Sequence, residues 1–331
     1  TQFAEEAFTV YDHPKVLIFK KQADYDPVRV RAVLGGVDLS KVIRLTPRQF
    51  KSYPATLMLP LERWVQQVKG GTWSALFNTS AWYNRYPGLG LVIWYLILTL
   101  LGWAVYPLAR LAFGVLPDKG YPLLRILGLL CLGWGVWILG SLGIPFSPFT
   151  ISLTALAILM LNLGLGYLQR EAIRQELRQE WRYFLRIEVL ALAFFLFFLL
   201  IRLGNPDLWH PYKGGEKPMD FSYFNAVLKS TTFPPYDPWF AGGYINYYYF
   251  GFVLAAVPTK WLGIVPSIAY NFILPSFFAL VALGAFSVGY NLVAWANRQR
   301  VRSKPENPYY LGGHPWLGGW AASIGVLILG N

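Results

Sequence analysis

The sequence predicts an all-α polytopic membrane protein of about seven transmembrane segments, with a small mixed extracytoplasmic portion at its N-terminal side. Three observations carry that expectation. The 331 residues are 55% hydrophobic and 14% charged, and mean hydropathy is +0.38, too apolar for a water-soluble domain. Apolar segments near the length of a bilayer helix recur after residue 86. A basic, arginine-periodic stretch separates two of them, as cytoplasmic loops do.

Residues 1–86 mix charge, Pro and Gly with short β-like runs such as Val16-Leu17-Ile18-Phe19, and no run there reaches the ~20 apolar residues a span needs. Residues 1–22 read as the C-terminal end of an upstream extracytoplasmic domain, and 23–86 as an extracytoplasmic linker region with a turn at Gly70-Gly71-Thr72-Trp73. The transmembrane domain is expected over 87–331. Its segments fall near 88–113, 121–143, 147–168, 187–203, 245–264, 268–295 and 316–330. The chain opens on Thr1 and stops in an apolar run, so it reads as a piece of a longer polypeptide.

Between the third and fourth segments, Arg170, Arg174, Arg178, Arg182 and Arg186 recur every four residues beside a stripe of Ile173, Leu177, Trp181 and Leu185. That spacing predicts a helix over 169–186 lying at the cytoplasmic interface or serving as a solvated connector there. Orientation follows: the 204–244 loop and residues 1–86 are extracytoplasmic. One observation disagrees. Counting seven full crossings puts Arg298, Arg300 and Arg302 outside, so either segment five or six is re-entrant or does not fully cross, or the charge rule fails there.

The net charge of +12 is explained by basic flanks beside apolar spans, so nucleic acid is not the expected partner; membrane lipid is. The single cysteine, Cys131, excludes an intramolecular disulfide and a thiolate metal cluster. No Gly-x-Ser-x-Gly, Walker A, His-Glu-x-x-His or dinucleotide fingerprint is present. A transporter is disfavoured because the spans hold few ionisable residues, and Arg125 and Glu188 near their ends can snorkel.

Chemistry concentrates in 204–251. Glu216 and Asp220 flank Pro218 ahead of a helical stretch, Phe221–Lys229, and paired carboxylates of this kind serve as a general base and its partner or as ligands for a hard divalent cation. Plainer uses stand beside each: a helix cap for Asp220, a solvated charge for Glu216 or Lys217, a turn residue for Asp237 before Pro238. The turn Phe233-Pro234-Pro235-Tyr236-Asp237-Pro238-Trp239 leads to Asn246-Tyr247-Tyr248-Tyr249, where the three rings form either a binding surface or a headgroup-level aromatic belt. His210 has no partner at zinc spacing.

The run from Arg202 through Asn205-Pro206-Asp207, Gly215-Glu216-Lys217-Pro218-Met219-Asp220 and the Pro-Pro-Tyr-Asp-Pro-Trp turn to Asn246-Tyr247-Tyr248-Tyr249-Phe250-Gly251 resembles the Chlor_Arch_YYY membrane proteins, a family of unknown function. The resemblance covers roughly residues 25–331. More distantly the loop is similar to the first extracytoplasmic loop of GT-C glycosyltransferases, which use polyprenyl-phosphate sugars: an Asp, a short helix, a Pro turn, a Gly, then an aromatic entry to the next span. Where those relatives often carry a second acid, this chain has Asn246, so Glu216 or Asp237 would have to substitute. The resemblance implies sugar transfer from a polyprenyl-phosphate-linked donor to an acceptor on the extracytoplasmic side of the plasma membrane. Asp220 is then the base, with Glu216 and Asp237 as further catalytic candidates. Lys213, Lys217, Arg202 or a divalent cation such as Mg or Mn, held by Glu216 and Asp220, would meet the phosphate. Trp239, Phe240, Asn246, Tyr247, Tyr248 and Tyr249 would hold the sugar or first isoprenes. The start, Phe8–Lys21, resembles the closing strands of a glycosyltransferase-like extracytoplasmic module, implying such a module upstream. The competing expectation is a non-enzymatic scaffold or lipid-binding subunit of a membrane complex.

Overall fold

The computed structural model describes residues 20, 24–38, 40, 46, 61, 62, 65, 73–206, 217–239, 243–303 and 313–330. The chain separates into two compact units, Thr1–Met58 and Leu59–Asn331. In the first, helix α1 (Pro27–Gly35) starts where Asp26 accepts a hydrogen bond from the Val28 amide at 2.8 Å and Pro27 supplies a preset φ. The expected β-like run at 16–19 and the turn at 70–72 lie outside the described residues.

The second unit is helical, with no strand among its described residues. After the short helices α2 (Trp73–Leu76) and α3 (Trp82–Arg85) come α4 (Pro87–Ala104) and α5 (Tyr106–Phe113). The first apolar segment is thus broken at Val105, because Pro107 has no amide to continue the ladder and starts a new helix instead. A 3₁₀ turn, Tyr121–Leu123, leads into α6 (Leu124–Ser141). Helix α7 (Pro148–Leu168) is capped by Ser147, whose hydroxyl accepts from the Thr150 amide. The arginine stretch divides: α8 (Arg170–Gln179) ends at Glu180, and α9 (Trp181–Gly204) absorbs Arg182 and Arg186 into a 24-residue helix. Then follow α10 (Lys217–Lys229), α11 (Tyr249–Leu262), α12 (Pro266–Ser303) and α13 (Pro315–Ile324), the last running into a π-helical turn.

Five of the described helices are long and apolar enough to cross a membrane: Pro87–Ala104, Tyr121–Ser141, Pro148–Leu168, Trp181–Gly204 and Pro266–Gln299. Segments five and seven of the sequence reading form shorter helices, α11 with 14 residues and α13 with 10. Helix α11 also begins and finishes at one end of the bundle. At its start the Trp137 indole, one turn from the end of α6, donates to the Tyr249 hydroxyl at 3.0 Å. At its finish the Trp261 indole donates to Ser152 at the start of α7 (2.9 Å), and Asn84, just before α4, bonds both Gly263 and Val265 at 2.9 Å. Helix α12 consequently starts at this loop end and descends to the opposite one. There Asp118 accepts from Ser287 and its amide donates to Asn291, while Trp316 packs on Tyr290 and Tyr183. Arg298 therefore shares an end with the arginine helix, which removes the disagreement with the charge rule.

That basic end is fastened by one carboxylate. Glu176 of α8 is buried, and it accepts from Tyr106 Oη and Arg110 Nε at 2.8 Å and from Lys119 Nζ at 2.9 Å. The turn presenting Lys119 is left-handed at Lys119 (φ 55°) and Gly120 (φ 69°), and a Cβ at Gly120 would meet the Phe113 ring at 2.6 Å. Burial opposes ionisation of Glu176, but the bonds from Arg110, Lys119 and Tyr106 outweigh it and hold the carboxyl at about 2. With the folded value depressed, this stabilisation is complete above the ordinary glutamate range and is lost as pH falls toward about 2. It amounts to about 3 kcal/mol at neutral pH. Thermal unfolding midpoints in detergent should therefore drop between pH 5 and pH 3. In Glu176→Gln the midpoint at pH 7 should already be low and that acid step missing; an unchanged profile would remove Glu176 from this role.

Candidate functional site

Helix α10 begins at Lys217, four residues earlier than the sequence suggested. Pro218 is harmless in a first turn, where its missing amide would have no partner. Asp220 is thus the fourth residue of the helix and not its cap. A carboxylate there is still favoured by the helix dipole. The buried face of α10, Phe224, Val227 and Leu228, packs into the main core, and Phe221 meets Tyr270 of α12 edge-on with ring centroids 5.5 Å apart.

The chain from Pro235 to Ile245 folds on itself. The Asp237 amide donates to Gly243 O (3.0 Å), the Ile245 amide to Pro235 O (2.9 Å), and the Tyr236 and Tyr244 rings stack at 4.9 Å. Within this turn the Asp237 carboxylate accepts from the Trp239 amide at 2.8 Å, the local bond that favours Asp in such positions. Trp239 and Asn246 are exposed.

A cleft of about 330 Å³ lies between α10, the entry to α11 and α12. Asp220, Tyr247, Tyr248 and Tyr270 form its polar part. Phe252 of α11 and Ile273, Leu274 and Phe277 of α12 continue it as an apolar wall. The structure therefore brings Asp220 together with Tyr247 and Tyr248. It separates Tyr249, whose hydroxyl is held by Trp137, and Asp237, which does not line this cleft. Arg202, at the end of α9, is buried and donates from Nε and Nη2 to Asn271 Oδ1 (3.1 and 2.5 Å), and both it and Asp220 lie within electrostatic reach of Tyr270. Lys217 sits half-buried on the first turn of α10. Lys213, Glu216 and Phe240 lie outside the described residues.

Among the described residues no group of three or more His, Cys, Asp and Glu side chains comes together. Among the described residues Asp220 is the one carboxylate lining the cleft. Mg or Mn is commonly held through one or two carboxylates, with water and substrate phosphate completing its shell, and toward such an ion the described lining of the cleft offers Asp220. A larger groove, about 860 Å³, runs between α4 and α7 from Ser152 and Trp261 to Gly166 and Tyr167. Its described lining is mainly apolar and includes no carboxylate.

One residue escaped the sequence reading. Lys260, in α11, is 1% exposed, with its amine 4.2 Å from the Phe146 ring centroid and donating to Ser230 O at 3.3 Å. Its amine meets the carbonyl of the residue that follows α10 and so fixes the helix that carries Asp220. A lone lysine inside the apolar run 250–265 was the available signal.

Comparison with curated proteins and with solved structures finds no match. The family described as Uncharacterized membrane protein (DUF2298) matches residues 131–331, from the middle of α6 through the cleft and the whole of α12. That match spans well over half of the chain and agrees with its bundle of long apolar helices, and the chain belongs to this family.

Proposed function

We propose that this chain is a GT-C-like membrane glycosyltransferase, moving a sugar from a polyprenyl-phosphate donor to an acceptor hydroxyl on the extracytoplasmic side. The supporting observation is the cleft: one carboxylate and three tyrosines at its polar part, continued by an apolar wall along a membrane-spanning helix. A lipid-linked sugar has that same division between a polar head and a hydrocarbon tail. Asp220 accepts the proton of the acceptor hydroxyl as its oxygen bonds to the anomeric carbon, and the bond from that carbon to the phosphate oxygen breaks. Arg202 and Lys217 are the described candidate cations for the leaving phosphate, and Tyr247 and Tyr248 flank the sugar. A Mg or Mn ion held by Asp220, with Glu216 as the further candidate ligand, would supply further charge neutralisation to the phosphate.

The test uses the full-length protein in detergent with polyprenyl-phosphate and polyprenyl-diphosphate sugars. Transfer with release of the polyprenyl phosphate supports the enzyme. Binding without transfer supports a second reading, a lipid-binding scaffold, which the exposure of Trp239 (67%) and Tyr248 (76%) favours as a docking surface. Failure of both activities overturns both readings.

The orientation is a separate expectation, supported by Arg170, Arg174, Arg178 and Arg298 sharing one end of the bundle. In a Cys131→Ser background, Trp239→Cys should react with a membrane-impermeant thiol reagent in intact cells and Gln175→Cys should not. The reverse pattern would put the cleft on the cytoplasmic side.

A further inference from the structure

Inside the bundle, away from the cleft, four helices meet at a set of polar groups. Arg125 of α6 is 8% exposed. It pairs through Nη2 and, at 3.4 Å, through Nη1 with Glu188 of α9, and Nη2 also donates to Thr99 of α4 at 3.1 Å. Its Nε lacks a hydrogen-bond partner in good geometry, and so does the buried hydroxyl of Tyr95 on α4, which lies close to Arg125 and Thr99 without aligning on either. Both residues line a cavity of about 20 Å³, together with Leu98, Ala191, Phe195, Ala279, Leu280 and Ser276 of α12. The Ser276 hydroxyl donates to Phe272 O at 2.7 Å and accepts from the Trp94 indole at 2.8 Å, which leaves it one further lone pair.

From these groups we infer a binding site for a single structural water molecule at this point in the bundle. The volume admits one water and little more, since a water needs roughly 10–15 Å³ of such space and two to four polar partners. The hydrogen-bond balance closes. The water accepts from Arg125 Nε, donates to Ser276 Oγ, and exchanges its third bond with Tyr95 Oη. The charge balance selects a neutral occupant, because Glu188 already neutralises Arg125 and an added ion would be uncompensated in an apolar surround. The water joins α4, α6 and α12 through one molecule, and through Arg125 it reaches Glu188 on α9. It also satisfies two buried groups that would otherwise each cost stability.

The sign of one substitution tests this in the full-length protein. With water bound, Tyr95→Phe removes a satisfied hydroxyl, and the thermal unfolding midpoint falls by several degrees. In an empty cavity the same change removes an unpaired polar atom, so the midpoint holds or rises, which overturns the site. Because lost packing alone can lower a midpoint, a cryo-EM map at a resolution that shows ordered waters is the second measurement. A peak within hydrogen-bond reach of Arg125 Nε, Tyr95 Oη and Ser276 Oγ is expected, and an empty cavity in that map overturns the site whatever the midpoint does.

Discussion

Asp220→Asn should lower sugar transfer by roughly 10²–10⁴-fold, the usual contribution of a positioned general base, while donor binding and fold persist. The structure sharpens this expectation. Asp220 is the fourth residue of α10 and not its cap, so one part of what Asn forfeits is the interaction of a carboxylate with the helix N-terminus, roughly 0.3–1 kcal/mol. Unfolding midpoints measured on the same samples separate lost transfer from lost fold. Asp237→Asn is the internal control. An amide oxygen can still accept from the Trp239 amide, and residue 237 does not line the cleft, so transfer stays near the parent level. Donor binding and turnover measured on the same purified samples decide it. Near-normal transfer by Asp220→Asn would end the proposed base.

What the sequence made legible, and what it hid, divides by the range of the interactions. Composition and segment length located the five long helices, because a lipid-facing helix must be apolar along its whole length. Segment five was as apolar as the others, yet α11 lies between two contacts at the same end of the bundle, and hydropathy cannot tell such a helix from a crossing one. The arginines at 298–302 held the needed hint, since only a non-crossing segment returns them to the basic end. The start of α10 was hidden because Pro218 reads as a bend, although a proline is equally at home in a first turn. In Tyr247-Tyr248-Tyr249 three identical residues diverge: the first two open onto the cleft, whereas the third opens helix α11 and turns its hydroxyl to Trp137. No local pattern distinguishes them. Lys260 and Ser230 are thirty residues apart and meet only in the fold.

The Arg125–Glu188 pair shows the same limit with a larger energy attached. Read along the chain, each residue stood near the end of its span and was free to snorkel. In the bundle they face each other across α6 and α9, with Tyr121 Oη donating to Glu188 at 2.7 Å. Breaking a buried pair by removing one member leaves the other charge uncompensated and costs roughly 3–5 kcal/mol. The two removals are not equivalent. An arginine cannot shed its proton, so Glu188→Gln strands a permanent cation whose residue is 8% exposed. Glu188, left alone, retains the Tyr121 hydroxyl, and its side chain is 25% exposed. Glu188→Gln should therefore lower the thermal midpoint in detergent by about 10 °C, the larger of the two losses, with Arg125→Met clearly milder. The double variant Arg125→Met/Glu188→Gln should recover much of the Glu188→Gln loss, because it no longer buries an unpaired cation. If the double variant instead shows the sum of the single losses, the two side chains are not coupled and the pair does not hold these helices together.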